Sequence, residues 1–155
     1  MHIVMRSSVA RGVWSFVRPN NRNMIAHVLA KHASTTGVEI IATGNAGNHL
    51  HLRVRFPSLN AYKHFIRAVT GEVALKIKKI ANSAVILNRG FWDSRPFSCI
   101  VSTLGYATRL TDYIKINQLE GRGFNRAFAC LVVKRWRDGT FPEFDGGVLI
   151  VSSQS

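Results

Sequence analysis

Two histidines separated by one residue, His49 and His51, fall in Asn48-His49-Leu50-His51-Leu52-Arg53-Val54-Arg55-Phe56, where apolar and polar residues alternate at every step. In a β-strand this pattern sends Leu50, Leu52, Val54 and Phe56 to one face and His49, His51, Arg53 and Arg55 to the other. Residues two apart on a strand are about 6.5–7 Å apart along it, so two imidazoles can converge on one cation. The guanidiniums beyond them suit phosphate oxygens. A second group, Tyr113 and Asn117, is four residues apart in a helical stretch and shares one face of it. A phenol becomes a nucleophile when its proton is lost or shared with a base or metal. An amide oxygen beside it can serve as third ligand to a hard cation and leave coordination positions open for phosphate. Neutral imidazoles with an amide oxygen suit Mg²⁺ or Mn²⁺. Tyr106, seven residues before Tyr113, is the rival nucleophile on much the same face.

The elements that must position these groups can be read in order. Residues 2–9 form a strand, and residues 13–17 extend it or make a hairpin. A turn at Pro19-Asn20-Asn21 leads into a helix over 21–34 with Ile25, Val28 and Leu29 on one face, ended by Thr36-Gly37. Residues 38–42 are a strand, and the turn Gly44-Asn45-Ala46-Gly47-Asn48 returns the chain into the histidine strand. Ser58 caps a helix over 59–69 with Tyr62, Phe65, Ile66 and Val69 as its stripe; Gly71 breaks it, and 73–81 resumes. A strand over 97–101 follows, then a helix to Glu120 capped by Ser102 or Thr103 and ended by Gly121. A helix over 125–137 and a loose tail at Gly146-Gly147 complete the chain. The order predicts an α+β, ferredoxin-like (RRM-like) antiparallel sheet with helices on one face and the histidines on a free opposite face, plus a C-terminal tyrosine-bearing helix. One domain over 1–155 is expected, with its core at about 2–121 and an extension at 122–155.

Charge narrows the partner. The chain has 21 Lys and Arg against 8 Asp and Glu, a formal +13, which favours a polyanion such as nucleic acid. The apolar runs at 131–133 and 148–151 are too short to cross a bilayer. Arg6 and Arg11 precede no apolar leader, so a cytoplasmic location is expected. Cys99 and Cys130 lie in apolar surroundings and read as buried free thiols. His2, His27, His32 and His64 have no partner at ligand spacing and read as surface or packing residues. Trp14, Trp92 and Trp136 read as core or interface, and Lys76, Lys78 and Lys79 as a solvated helix face.

The strand Asn48-His49-Leu50-His51-Leu52 with a later Tyr-x-x-x-Asn on a helix resembles the single-tyrosine HUH transposases, most nearly the REP-associated tyrosine transposases. His2-Ile3-Val4-Met5-Arg6 and Phe91-Trp92-Asp93-Ser94-Arg95-Pro96-Phe97 are similar to that family's first strand and the approach to its fourth. The resemblance implies a metal-dependent enzyme that cuts and rejoins single-stranded DNA through a 5′-phosphotyrosine. It makes His49, His51 and Asn117 metal ligands and Tyr113 the nucleophile. Many relatives have Gln where Asn117 stands, so the adjacent Gln118 is an alternative ligand. The proline that often follows in the REP-associated subgroup is absent. The expected DNA contacts are Arg6, Arg53, Arg55, Arg95 and Lys115. A hairpin-forming DNA and a homodimer are implied as partners. Two other readings share the fold order: an RRM-like binding module, which stacks bases on sheet aromatics, and a relative that binds DNA without turnover.

Overall fold

Alternation on the histidine strand divides a sheet into two unlike faces. On β3 (His49–Arg55), Leu50, Leu52 and Val54 are buried in the main core, while His49, His51, Arg53 and Arg55 point the other way. The computed structural model describes residues 1–80 and 90–140. In it β3 pairs antiparallel with β1 (His2–Arg6) on one side and β2 (Glu39–Asn45) on the other. A three-residue β4 (Phe97–Cys99) pairs antiparallel with β1, giving the sheet order β2-β3-β1-β4. The register sets His2 opposite Arg53, Val4 opposite His51 and Arg6 opposite His49. Cross-strand partners share a face, so β1 adds His2, Val4 and Arg6 to the histidine side and Ile3 and Met5 to the core.

Two helices cover the apolar face. α1 (Pro19–Thr36) begins with Pro19, whose missing N–H costs nothing in a first turn, and contributes Ile25, Val28 and Leu29. α2 (Leu59–Ile80) contributes Phe65, Val69, Val73 and Ile77, each fully buried. This i+4 row is why Gly71 does not break the helix as its type predicts: it sits on the outer side with nothing near it, while the buried row continues past it. Glu72 of α2 joins the helices by accepting from Lys31 at 3.0 Å and pairing with His32 at 2.7 Å, and also takes Lys76 at 2.9 Å. Ser58 caps α2 through Ala61 N–H, as its type predicts.

Three further expectations are corrected. Residues 13–17 are neither strand nor hairpin: Gly12–Trp14 is a short 3₁₀ turn. The buried Asn21 amide donates to the Val13 and Ser15 carbonyls there, and Phe16 N–H donates to Gly47 O. Cys99 is half-buried and Cys130 exposed, because α4 (Arg126–Arg137) buries Ala129, Val132 and Val133 instead. The histidine face is not free. α3 (Leu104–Gly121), capped by Thr103, lies across its β2–β3 half. Trp92 is partly buried and packs against the core, donating Nε1–H to Thr70 O at 2.9 Å. The predicted tail at Gly146-Gly147 lies outside the described residues.

α3 reaches the sheet where two glycines remove side chains. A Cβ on Gly44 would stand 2.6 Å from the Ile114 carbonyl oxygen, and one on Gly121 would collide with the Asn45 carbonyl. Helix propensity alone favours Gly121→Ala by about 1 kcal/mol. The contact reverses the sign: the variant is expected to lose roughly 1–3 kcal/mol in urea unfolding, and a gain would show that the helix end is not seated on β2.

Candidate active site

α3 and the open half of the sheet meet at a cleft of about 430 Å³ lined by His2, Val4, Arg6, Asn48, His49, His51, Phe97 and Tyr113. Strand β3 supplies the imidazoles, whose ring centroids are 4.8 Å apart. α3 supplies Tyr113, exposed to 40% and with its ring 5.2 Å from that of His51 in an edge arrangement. One turn on, Asn117 is 5% exposed and lies close enough to His49 to oppose part of the lowering that burial imposes on that ring. Its amide nitrogen donates to the Tyr113 carbonyl at 2.8 Å. The i, i+4 spacing thus becomes a physical link between the amide and the backbone that carries the phenol. Gln118, the alternative ligand, lines a different, mostly apolar cleft of about 490 Å³ between α1 and β2 that contains neither histidine. Tyr106 directs its hydroxyl to Cys99 Sγ, 3.9 Å away, and does not line the histidine cleft.

The imidazoles are held neutral. Burial, then the neighbouring His49 and His2 rings, pushes His51 down to about 4. Burial also lowers His49 and His2, with Asn117 partly opposing the effect at His49. His49 Nδ1 lies 2.7 Å from Asn48 Oδ1. Since an amide oxygen only accepts, the proton sits on Nδ1 and a lone pair remains on Nε2. His51 Nε2 is buried with no hydrogen-bond partner, an atom that a cation would satisfy. Among the described residues no group of three or more His, Cys, Asp and Glu forms a metal cluster. The donors that meet here are two imidazoles and a carboxamide, which fit a divalent cation.

The basic residues divide by role. Arg6 lines the cleft and is well exposed, with Asp93 at 3.5 Å. Arg53 donates to Thr111 Oγ1 at 2.7 Å and so ties β3 to α3. Arg55 pairs with Glu39 on the neighbouring strand at 2.6 Å. Lys115 stands 5.7 Å from the Trp136 ring centroid, and Arg95 is exposed on the approach to β4. His2 is the residue that spacing missed. It has a partner, since its Nε2 is 3.3 Å from His51 Nδ1 and the two rings stack. The available signal was the alternation of residues 2–6, which becomes informative once β1 is paired with β3. Phe97, 61% exposed beside His2, was likewise unassigned.

Residues 1–117 match the family model described as Transposase IS200 like. The chain is also similar to a crystal structure from Deinococcus radiodurans R1, provisionally described as a transposase. The two share 14% identity with a TM-score of 0.49, over 76% of this chain and 88% of that one. No curated protein sequence matches the chain. Among the described residues no helix is long and apolar enough to cross a membrane.

The buried His51 ring sets a pH dependence for the metal-free protein. With a folded value of about 4 against 6.5 unfolded, the unfolded chain binds the extra proton between those pH values. The ring's contribution is therefore complete above pH 6.5 and is lost progressively as pH falls from there to about 4. Urea unfolding in chelator at pH 7 and near 4.5 is expected to show roughly 2 kcal/mol more loss in the wild type than in His51→Asn. Equal losses would show that the ring is hydrated in the folded state.

Proposed function

Because the chain belongs to the IS200-like transposase family, we propose that it is a single-tyrosine enzyme that cleaves and rejoins single-stranded DNA with the aid of a divalent metal. The observation carrying this reading is the cleft itself, where Tyr113 stands over two neutral imidazoles, one with a buried, unpartnered Nε2. His49 and His51 through Nε2, with Asn117 through Oδ1, would hold Mg²⁺ or Mn²⁺. When bound, the ion would polarise the scissile phosphate and offset the charge that builds on it.

The protein's own groups account for the rest. Tyr113 Oη attacks the phosphorus, the bond to the 3′-oxygen breaks, and the phenolic proton is passed on to that oxygen. The products are a 5′-phosphotyrosine and a 3′-hydroxyl. One phosphate ester replaces another, so attack by a 3′-hydroxyl can reverse the step and join a new strand. The hydrogen bond from Asn117 to the Tyr113 carbonyl ties the nucleophile's turn to the residue that meets His49. Arg6 on the cleft wall is placed to receive phosphate oxygens. The family relation also supports a hairpin-forming substrate and a homodimer.

The test is incubation with labelled single-stranded hairpin oligonucleotides and Mg²⁺ or Mn²⁺, followed by a denaturing gel. A protein–DNA adduct is expected that disappears with EDTA and with Tyr113→Phe, while DNA binding by that variant stays within about twofold. An adduct that survives Tyr113→Phe would move the nucleophile elsewhere. The double variant His49→Ala, His51→Ala is expected to lose metal-dependent cleavage; the same cleavage with the same metal dependence would place the metal outside this cleft. Tight, salt-sensitive binding without any adduct would favour a DNA-binding relative without turnover.

A further inference from the structure

A neutral imidazole carries one N–H, so a cation held through His51 Nε2 requires the proton to sit on Nδ1. His51 is 3% exposed, and an N–H buried there needs an acceptor inside the protein. Nε2 of His2 is the atom at hand, 3.3 Å from His51 Nδ1. It is well held: His2 is 8% exposed, its ring stacks on His51 at 5.5 Å and 18°, and Phe97 packs on it edgewise at 6.4 Å. The opposite tautomer would put the N–H on the buried, partnerless Nε2 of His51 and remove the lone pair a cation needs. The other imidazole is arranged in the same way, since His49 Nδ1 is engaged by Asn48 Oδ1 at 2.7 Å. Both rings thus have Nδ1 engaged, and His51 has its Nε2 left over.

We propose that His2 is a positioning residue of the cleft: by accepting a hydrogen bond from His51 Nδ1–H, it holds His51 in the tautomer that presents the Nε2 lone pair to a divalent cation. This rests on the metal site proposed above. Its structural origin is the β1–β3 register, which places His2 one cross-strand pair beyond Val4 and His51 on the same face. Carboxylates or carbonyls usually perform this duty for metal-bound histidines. Here a second neutral imidazole does so, at a sheet face whose burial disfavours charge.

The experiment titrates the full chain with Mn²⁺, following free Mn²⁺ by EPR, in the wild type, His2→Phe and His2→Gln. Thermal melts confirm that each is folded. Phenylalanine keeps a flat ring for the stack and removes the acceptor; glutamine returns an acceptor oxygen. Mn²⁺ affinity is expected to fall 10- to 100-fold in His2→Phe and to recover most of that in His2→Gln. In the Mg²⁺-loaded wild type, long-range ¹H–¹⁵N spectra are expected to show His51 protonated at Nδ1. Unchanged Mn²⁺ affinity in His2→Phe would overturn the inference and leave the metal site standing; a His51 protonated at Nε2 would overturn the inference and with it metal binding through that atom. A loss that His2→Gln fails to recover would mean that His2 acts as a ligand or by stacking, not as an acceptor. Absence of Mn²⁺ binding in the wild type, or binding unchanged in His49→Ala, His51→Ala, would remove the metal site itself.

Discussion

α3 rests on the backbone of β2 with no side chain between them at Gly44. That residue is the cross-strand partner of His51, so the point of closest approach is one strand away from the imidazoles. With the helix anchored there by Ile114, Tyr113 falls on one side beside His51, and Asn117 comes down one turn later on His49. Gly121 seats the end of the same helix against Asn45, and Arg53 reaches Thr111 nearer its start. A helix held over a sheet at its middle and its C-terminal end gives the side chains between little freedom to drift, and a site assembled from two elements requires that.

The family match ends at residue 117, yet the next elements also hold the tyrosine helix. α4 folds back to bury Ala129, Val132 and Val133 against Leu119 of α3, with Ile116 and Trp136 at the margin. Arg126 pairs with Glu120 at 3.0 Å and Arg137 with Asp112 at 3.2 Å, so ion pairs join the two helices near both ends. These pairs are exposed and contribute little by themselves. The buried cluster carries the energy and the charges fix the alignment. Lys115, expected to contact DNA, stands beside Trp136 in this junction.

What could be read from the sequence was whatever depends on neighbours along the chain. The alternation from Asn48 to Phe56 specified both faces of β3, and Tyr113 with Asn117 specified one helical face; each reading needed only a local period. The position of His2 depends on which strand pairs with which and in what register, and neither is written in spacing. Coverage of half the histidine face by α3 was hidden for a similar reason, since Gly44 and Gly121 look like turn and helix-end glycines until the two backbones are seen to touch. Gly71 misled in the opposite direction: a breaker by type, it is tolerated because Phe65, Val69, Val73 and Ile77 anchor the helix on both sides of it.

Among the described residues, the cleft is lined without a carboxylate. Acidic side chains among the described residues are engaged by basic partners, Glu72 between α1 and α2, Glu39 on Arg55, Asp93 on Arg6 at the rim, and Asp112 and Glu120 on α4. Two neutral imidazoles and an amide bring no negative charge to a divalent cation, and the burial that keeps the imidazoles neutral also discourages a bare ion in a cationic protein. The missing counter-charge is the kind that a phosphodiester carries. On the proposed function, a site of this composition would favour metal and phosphate together over either alone, with Arg6 sharing the phosphate charge at the rim.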